Sequence, residues 1–335
     1  MSNPTPWLSL LVPVYNVAAY LDECLDSIRR QILTGVEIVV LNDASTDDSA
    51  VILTRFQAHF GDALRVVTHD RNRGVAAARN RMLREANGRY LWFVDGDDVL
   101  CPGAVQTLAG IVETDAPDLV MCDFRLLRQH FGLKHRLRGE LHRSTFVGPS
   151  RQLDADRSTL VAGLLFHGQL HCWSKIAKRE IWQKVLFPEG RYFEDLAVMP
   201  QLIANVHSYR HVAQPWIAYR QREGSILADF SPDKLRHLAL ALRDLHAALI
   251  GSGEPLSANA QFAVGHFCLK THASMARRLA SGKLTDTADL AAVLRASVNE
   301  IFPHGPDAIL RGYLRRGWLL RAQRARASLR RVGFA

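Results

Sequence analysis

Three carboxylates stand within four residues, at Asp95, Asp97 and Asp98, directly after the apolar run Tyr90–Val94. Acids packed so closely repel one another unless a cation or hydrogen-bond donors relieve them. The end of a central strand is where open α/β sheets bind ligands. Two carboxylates there suit a divalent ion shared with a diphosphate. The competing reading is a surface turn, because Asp-Gly is ordinary turn chemistry and a bare Asp-X-Asp often arises by chance.

The elements around these acids weigh on the choice. Apolar runs at 8–16, 36–43, 64–69, 90–95 and 118–124 read as buried strands. Residues 18–32, a segment starting at Ser45, 74–86 and 102–113 read as the helices between them. In the second of these, Ser45 is the expected N-cap, with acids in the first turn. Continuous apolar strands alternating with helices predict a mostly parallel sheet with helices on both faces. Polar features then follow four successive strands: PVYN at 13–16, ND at 42–43, DRNRGVAAARN at 70–80 and DGDD at 95–98. Parallel strands bring all four to one edge, which favours the metal reading over the turn.

Past Phe124 the pattern loosens. Residues 125–147 are rich in Arg and His and read as a hairpin or loop. A helix around 154–166 and the segments 173–182, 191–206 and 215–225 follow. From Ser231 the chain is helical over 232–250, 257–280, 285–301 and from Ala308. The expected division is 1–228, with halves 1–125 and 126–228, followed by a helical region 229–335.

The chain has 335 residues, ordinary hydrophobic content (48 %) and five scattered cysteines without a CxxC pair, which argues against a disulfide framework or a zinc site. No signal peptide or spanning run is expected. Net charge is +9, but eight arginines and no acid lie from Arg311 onward, leaving residues 1–310 at +1. That placement argues against a nucleic-acid partner, which calls for a basic face on the folded domain. Neither GxGxxG nor a P-loop is present.

The stretches VPVYNVAAYLDECLDSI, EIVVLNDASTDDS, NRGVAAARN, YLWFVDGDD, WSKIAKRE, FEDLAVMPQL and YRQREGS occur in this order between residues 12 and 225. In this the chain resembles the family 2 glycosyltransferases of GT-A fold, and in the last three stretches the branch that builds bacterial capsule, exopolysaccharide and lipopolysaccharide. The resemblance implies a nucleotide-diphosphate sugar as donor, Mg²⁺ or Mn²⁺ as cofactor, and a glycan or lipid-linked acceptor. It places Pro13, Tyr15 and Asn16 at the nucleotide, with Asp43 accepting from the base. Helix capping, the plainer role for Asp43, is disfavoured because Ser45 and Asp47 already supply cap and first-turn charge. Asn72 and Arg79 would contact nucleotide or phosphate, against an exposed helix face for Arg79. Asp97 would be the metal ligand, with Asp95 at ribose or metal-bound water and Asp98 completing the acidic site.

The same resemblance makes Asp195 the general base for inverting transfer, with Glu194 as the alternative and helix capping open for one of the two. Lys175, Arg220 and Arg222 would close over the diphosphate, with Ser225 in the same motif. His171 is read as a core histidine in preference to a metal ligand. A sugar-phosphate nucleotidyltransferase is the rival enzyme, but it calls for a glycine- and arginine-rich first loop. A scaffold on a dead transferase fold is the rival without activity, and it should lack one of the acids.

In residues 310–332, Leu310, Leu314, Trp318, Ala322, Ala325, Leu329 and Val332 recur at helical spacing among arginines. This predicts one basic amphipathic helix, either packed on the domain or lying on an anionic membrane. The membrane reading implies a cytoplasmic protein peripherally attached to the inner face of the cell membrane.

Overall fold

Along the first strand, β1 (Leu8–Val14), alternate side chains face opposite ways. Leu8, Leu10, Val12 and Val14 enter a core with Leu21, Cys24, Leu25 and Ile28 of helix α1 (Ala18–Arg29). The intervening Leu11 is equally buried, so both faces of the strand are covered. The fold comes from a computed structural model that describes residues 5–128, 132–221, 231–251, 254–281, 284, 289–331 and 333. The chain continues through β2 (Val36–Asn42), α2 (Ser49–Phe60), β3 (Leu64–Thr68), α3 (Val75–Glu85), β4 (Tyr90–Phe93) and β5 (Val99–Leu100). Then come α4 (Ala104–Thr114), β6 (Leu119–Leu127), α5 (Leu133–Leu137), β7 (Leu153–Asp154) and α6 (Arg157–His167). β8 (Lys175–Lys178), α7 (Arg179–Trp182), α8 (Glu194–Ala204) and β9 (Tyr209–Arg220) complete the part that carries strands.

The strands form one sheet in the order β3-β2-β1-β4-β8-β6-β9-β5, with β7 also paired to β9. β3, β2, β1 and β4 are mutually parallel. β8 then runs antiparallel to both β4 and β6. β6 and β9 are parallel, while β5 and β7 pair antiparallel with β9. The expected α/β sheet is thus present, with a parallel half joined to a mixed half. β5 and β8 are two and four residues long, too short to show a period, and an antiparallel strand needs no crossover helix.

The chain clusters into two compact units. The first comprises residues 1–156, 169–190 and 201–221, and holds every described strand. The second comprises 157–168, 191–200 and 222–335, so two segments before residue 228 group with the C-terminal helices. Within the second unit, α10 (Ala258–Leu279) is central. It packs against α6, α9 (Pro232–Ile250), α11 (Leu290–Ile301), α12 (Asp307–Arg315) and α13 (Leu319–Arg330).

The tail is not a single helix. Gly317 takes a left-handed φ of 70° between α12 and α13, which breaks the helical path. Leu310, Ala322, Ala325 and Leu329 are buried and α12 and α13 pack on α10, so most of the expected apolar stripe is core. Leu314, Leu319 and Leu320 remain exposed. Val332 lies outside the described residues.

Two buried histidines of α10 join the helices. His266 Nδ1 lies 2.9 Å from the Tyr313 hydroxyl, and His272 Nε2 lies 2.9 Å from Ser297 Oγ. Burial, aided by the charges of Lys270, Arg321 and Arg316, lowers the His266 pKa to about 4. Burial also lowers His272 to about 4, against the opposing bond to the Cys268 carbonyl. Unfolded imidazoles titrate near 6.5. The stability these groups contribute is whole above about pH 6.5 and is lost as pH falls toward 4, by roughly 3 kcal/mol each at pH 4. Urea denaturation from neutral to acid pH should show this loss, and His272→Gln should flatten its slope.

Candidate active site

The loops after β1 and β2 are sewn together by polar side chains. Asn16, in a left-handed conformation (φ 50°), donates its N–H to Ser45 Oγ at 3.2 Å and accepts from Thr46 N–H at 2.8 Å. Asp47 accepts from the first N–H of α1, at Ala18, at 2.9 Å, and from Ser49 N–H at 3.0 Å. Partial burial pushes the Asp47 carboxyl up, but the bonds from Ser49 and Ala18 outweigh it and hold it below the usual range. The Ser-Thr-Asp-Asp stretch thus caps α1 across the gap, and α2 begins at Ser49 rather than at Ser45. Pro13 is half-buried, while Tyr15 stays 45 % exposed beside this loop pair.

Asp43 lies at the end of β2, almost wholly buried. Its Oδ1 lies 2.7 Å from His69 Nδ1 and accepts from Arg73 N–H at 2.9 Å, while Oδ2 accepts from Gly74 N–H at 2.8 Å. It therefore ties β2 to the end of β3 and to the start of α3, a capping role that sits beside the expected contact with a base. Ala44, next to it, also has a positive φ of 56°. Asn72 is exposed in the same loop.

The acidic loop after β4 is gripped from two sides. Arg79 Nη2 lies 3.3 Å from Asp95 Oδ1, and its guanidinium sits over the rings of Phe93 and Phe187 at 5.7 and 5.5 Å. Arg79 is only 2 % exposed, which removes the exposed-face alternative. From the other side Arg220, at the end of β9, donates Nε–H to the Asp97 carbonyl at 2.9 Å and its backbone N–H to Asp98 Oδ1 at 2.8 Å. Its guanidinium also bonds Glu23 at 2.5 Å and lies over Tyr20 at 4.9 Å. A Cβ on Gly96 would stand 3.1 Å from the Pro13 carbonyl, so the residue between the two acids must be small for the loop to lie against β1.

Residues 9–170 match the family model described as Glycosyl transferase family 2. In sequence this stretch is similar to family 2 glycosyltransferase domains. Over 232 residues the chain is 29 % identical to the uncharacterized glycosyltransferase EpsJ of Bacillus subtilis (strain 168). That match covers 66 % of this chain and 63 % of EpsJ, just under two thirds of the relative. In fold it is similar to residues 1–349 of S. aureus TarS in complex with UDP-GlcNAc. The TM-score is 0.71 at 19 % identity, over 96 % of this chain and 90 % of that one. The mannosyltransferase PcManGT of Pyrobaculum calidifontis, in complex with GDP-Man and Mn²⁺, gives a TM-score of 0.54 at 18 % identity, over 97 % and 86 %. These likenesses establish the GT-A architecture for the domain.

Not every expected site residue sits where its role needs it. Asp98 is fully buried and its Oδ2 has no partner among the described residues. Burial, then the charges of Asp95 and Asp97, push its carboxyl well above the usual range. Asp98 thus anchors the loop to β9 and does not face solvent as a metal ligand. Lys175 is likewise buried, its ammonium donating to the Gln169 carbonyl at 2.6 Å and Ser174 Oγ at 2.8 Å. A lysine held inside β8 is not a cation that closes over a diphosphate. His171 stacks on Trp173 at 4.7 Å, as a packed histidine does. Arg222 and Ser225 fall outside the described residues.

Asp95 and Asp97 are half-buried and keep access to solvent. Among the described residues no trio of His, Cys, Asp and Glu side chains is grouped to hold an ion unaided. Mg²⁺ and Mn²⁺ do not require one, because such ions are commonly held by one or two carboxylates with substrate phosphates and water. Asp95 and Asp97 fit that mode.

Glu194 and Asp195 open α8, are half-buried, and belong to the second unit. Phe193 just before them has a left-handed φ of 61°. Positive φ at a non-glycine residue costs energy and gathers at functional sites. It occurs here beside three expected site positions, after Tyr15, after Asp43 and before Glu194. Sequence reading missed His69, Glu23 and Tyr20. His69, the polar residue closing β3, had a signal in its position; Glu23 and Tyr20 resemble any exposed residues of a helix.

Proposed function

We propose that the protein is an inverting, metal-dependent glycosyltransferase that moves a sugar from a nucleotide-diphosphate donor to a hydroxyl of a surface-glycan or lipid-linked acceptor. The observation that carries this reading is the acidic loop held between Arg79 and Arg220 at the end of β4. Tyr15, Asn16, Asp43 and Asn72 supply the nucleotide side, on the loops after β1 to β3. Asp97 and Asp95 hold Mg²⁺ or Mn²⁺, which when bound stabilises charge on the leaving diphosphate. Arg220 adds a cation at the same loop. Asp195 takes the proton of the acceptor hydroxyl as it attacks, with Glu194 as the neighbouring alternative. The donors seen with TarS and PcManGT, UDP-GlcNAc and GDP-Man, are both nucleotide-diphosphate sugars, which supports the donor class. The first loop, PVYN, is neither glycine- nor arginine-rich, which disfavours a nucleotidyltransferase.

The test is a thermal-shift series with UDP and GDP, with and without Mn²⁺. A ligand that binds only the folded protein raises the melting temperature. One nucleotide should stabilise the protein with Mn²⁺ and much less with chelator. Equal stabilisation with and without the ion would remove the metal from the reading. No described helix is long and apolar enough to cross a membrane. Attachment to the inner face of the cell membrane, from the cytoplasm, belongs to the proposal, resting on Leu314, Leu319 and Leu320 among the tail arginines. Division at residue 228 into transferase and helical domains is likewise proposed, as is the branch that builds surface polysaccharides.

A further inference from the structure

Leu133, Leu137 and Leu141 are 73 %, 80 % and 41 % exposed, in a segment that chain architecture does not require to be apolar. Single exposed leucines are ordinary. Three within nine residues, the first two on one face of α5, are a surface. Lys134, Arg136 and Arg138 stand exposed among them. The one acid of the segment, Glu140, is buried and paired with Arg128, so the exposed charge is all positive.

A five-residue helix has no stability of its own, and this one is held from below. Leu126 N–H donates to the Glu140 carbonyl at 2.8 Å, and Arg143 and Phe124 exchange backbone bonds of 2.7 and 3.1 Å. Beneath them Asp123, fully buried on β6, pairs with His142 Nε2 at 2.6 Å and His211 Nε2 at 2.9 Å. It also accepts from Thr145 N–H at 2.9 Å. Two buried carboxylates are thus committed to fixing the base of a segment whose tip is left apolar and cationic.

We infer that residues 132–141 form a membrane-contact surface, in which the three leucines enter the headgroup layer of an anionic bilayer and Lys134, Arg136 and Arg138 meet its phosphates. A soluble polyanion would use the cations and leave the leucines in water. A bilayer with anionic lipid uses both, through apolar burial and about 1 kcal/mol per basic residue. Peripheral attachment needs more than one weak signal, and this surface lies in the first unit, separate in sequence from the arginine tail. The inference does not depend on the identity of the donor.

The experiment is sedimentation of the full chain with vesicles of phosphatidylcholine containing phosphatidylglycerol, against phosphatidylcholine alone. Wild type should bind the anionic vesicles. Leu133→Ser/Leu137→Ser should weaken binding at least ~10-fold, and Lys134→Gln/Arg136→Gln/Arg138→Gln by about 100-fold. Melting temperature and nucleotide binding should stay unchanged. Leu137→Trp should add a fluorescence component that shifts to the blue with anionic vesicles and not with dextran sulfate, a readout that needs no loss of function. Leu319→Ser/Leu320→Ser reports on the tail separately. Wild-type binding that survives both segment variants overturns the inference, as does absence of wild-type binding. Loss in the charge variant alone, with no blue shift at Leu137→Trp, would assign the surface to a soluble polyanion and equally overturn it.

Discussion

Asp97→Asn should lower sugar transfer by about a thousandfold or more, since the charge a divalent ion supplies to a leaving diphosphate is worth several kcal/mol. The same variant should lose the Mn²⁺-dependent part of its stabilisation by UDP or GDP, because an amide cannot replace the carboxylate that binds the ion. Stability without nucleotide should hold or rise slightly. Asp97 adds to the repulsion that raises the Asp98 carboxyl, and the Arg220 bond to this loop goes to the Asp97 carbonyl, which the substitution keeps. Transfer at the wild-type rate, or in excess chelator, would sink the metal mechanism. A variant that unfolds would instead make Asp97 structural.

Asp195→Asn separates binding from chemistry. A base that takes the acceptor proton in the transition state contributes about 10²–10⁴ in rate, and its loss appears in kcat while donor affinity is kept. Melting shifts by UDP or GDP with Mn²⁺ should therefore match wild type while turnover collapses. If Glu194→Gln shows that profile and Asp195→Asn does not, the two neighbours exchange roles. If both retain turnover, the base lies elsewhere and the motif is a helix start.

The parallel half of the sheet was legible because β1 to β4 are continuous apolar runs closed by polar residues, and a buried strand has few other ways to end. What escaped depends on partners far along the chain. Ser45 and Asp47 carry the signature of a local helix start, yet Asp47 caps α1, a helix that begins 29 residues earlier. Arg79 reads equally as a phosphate contact or a surface arginine until Phe187, which follows α7, closes over it. Lys175 reads as a free cation because nothing in four residues reveals that β8 enters the middle of a sheet. In the tail, helical spacing runs unbroken across Gly317, and only backbone conformation shows that one amphipathic helix is two.

The sewing of the first two loops bears on how a nucleotide is recognised. Asn16 holds Ser45 and Thr46, Asp47 holds Ala18, and Asp43 holds Arg73 and Gly74, through bonds among the protein's own groups. Ordering a loop on binding subtracts from affinity, and a surface already ordered at folding escapes that cost. In the proposed donor pocket, these bonds would make the base half a rigid mould. Selectivity among nucleotides would then follow from shape, since a base that does not fit would meet a surface with little freedom to adapt to it.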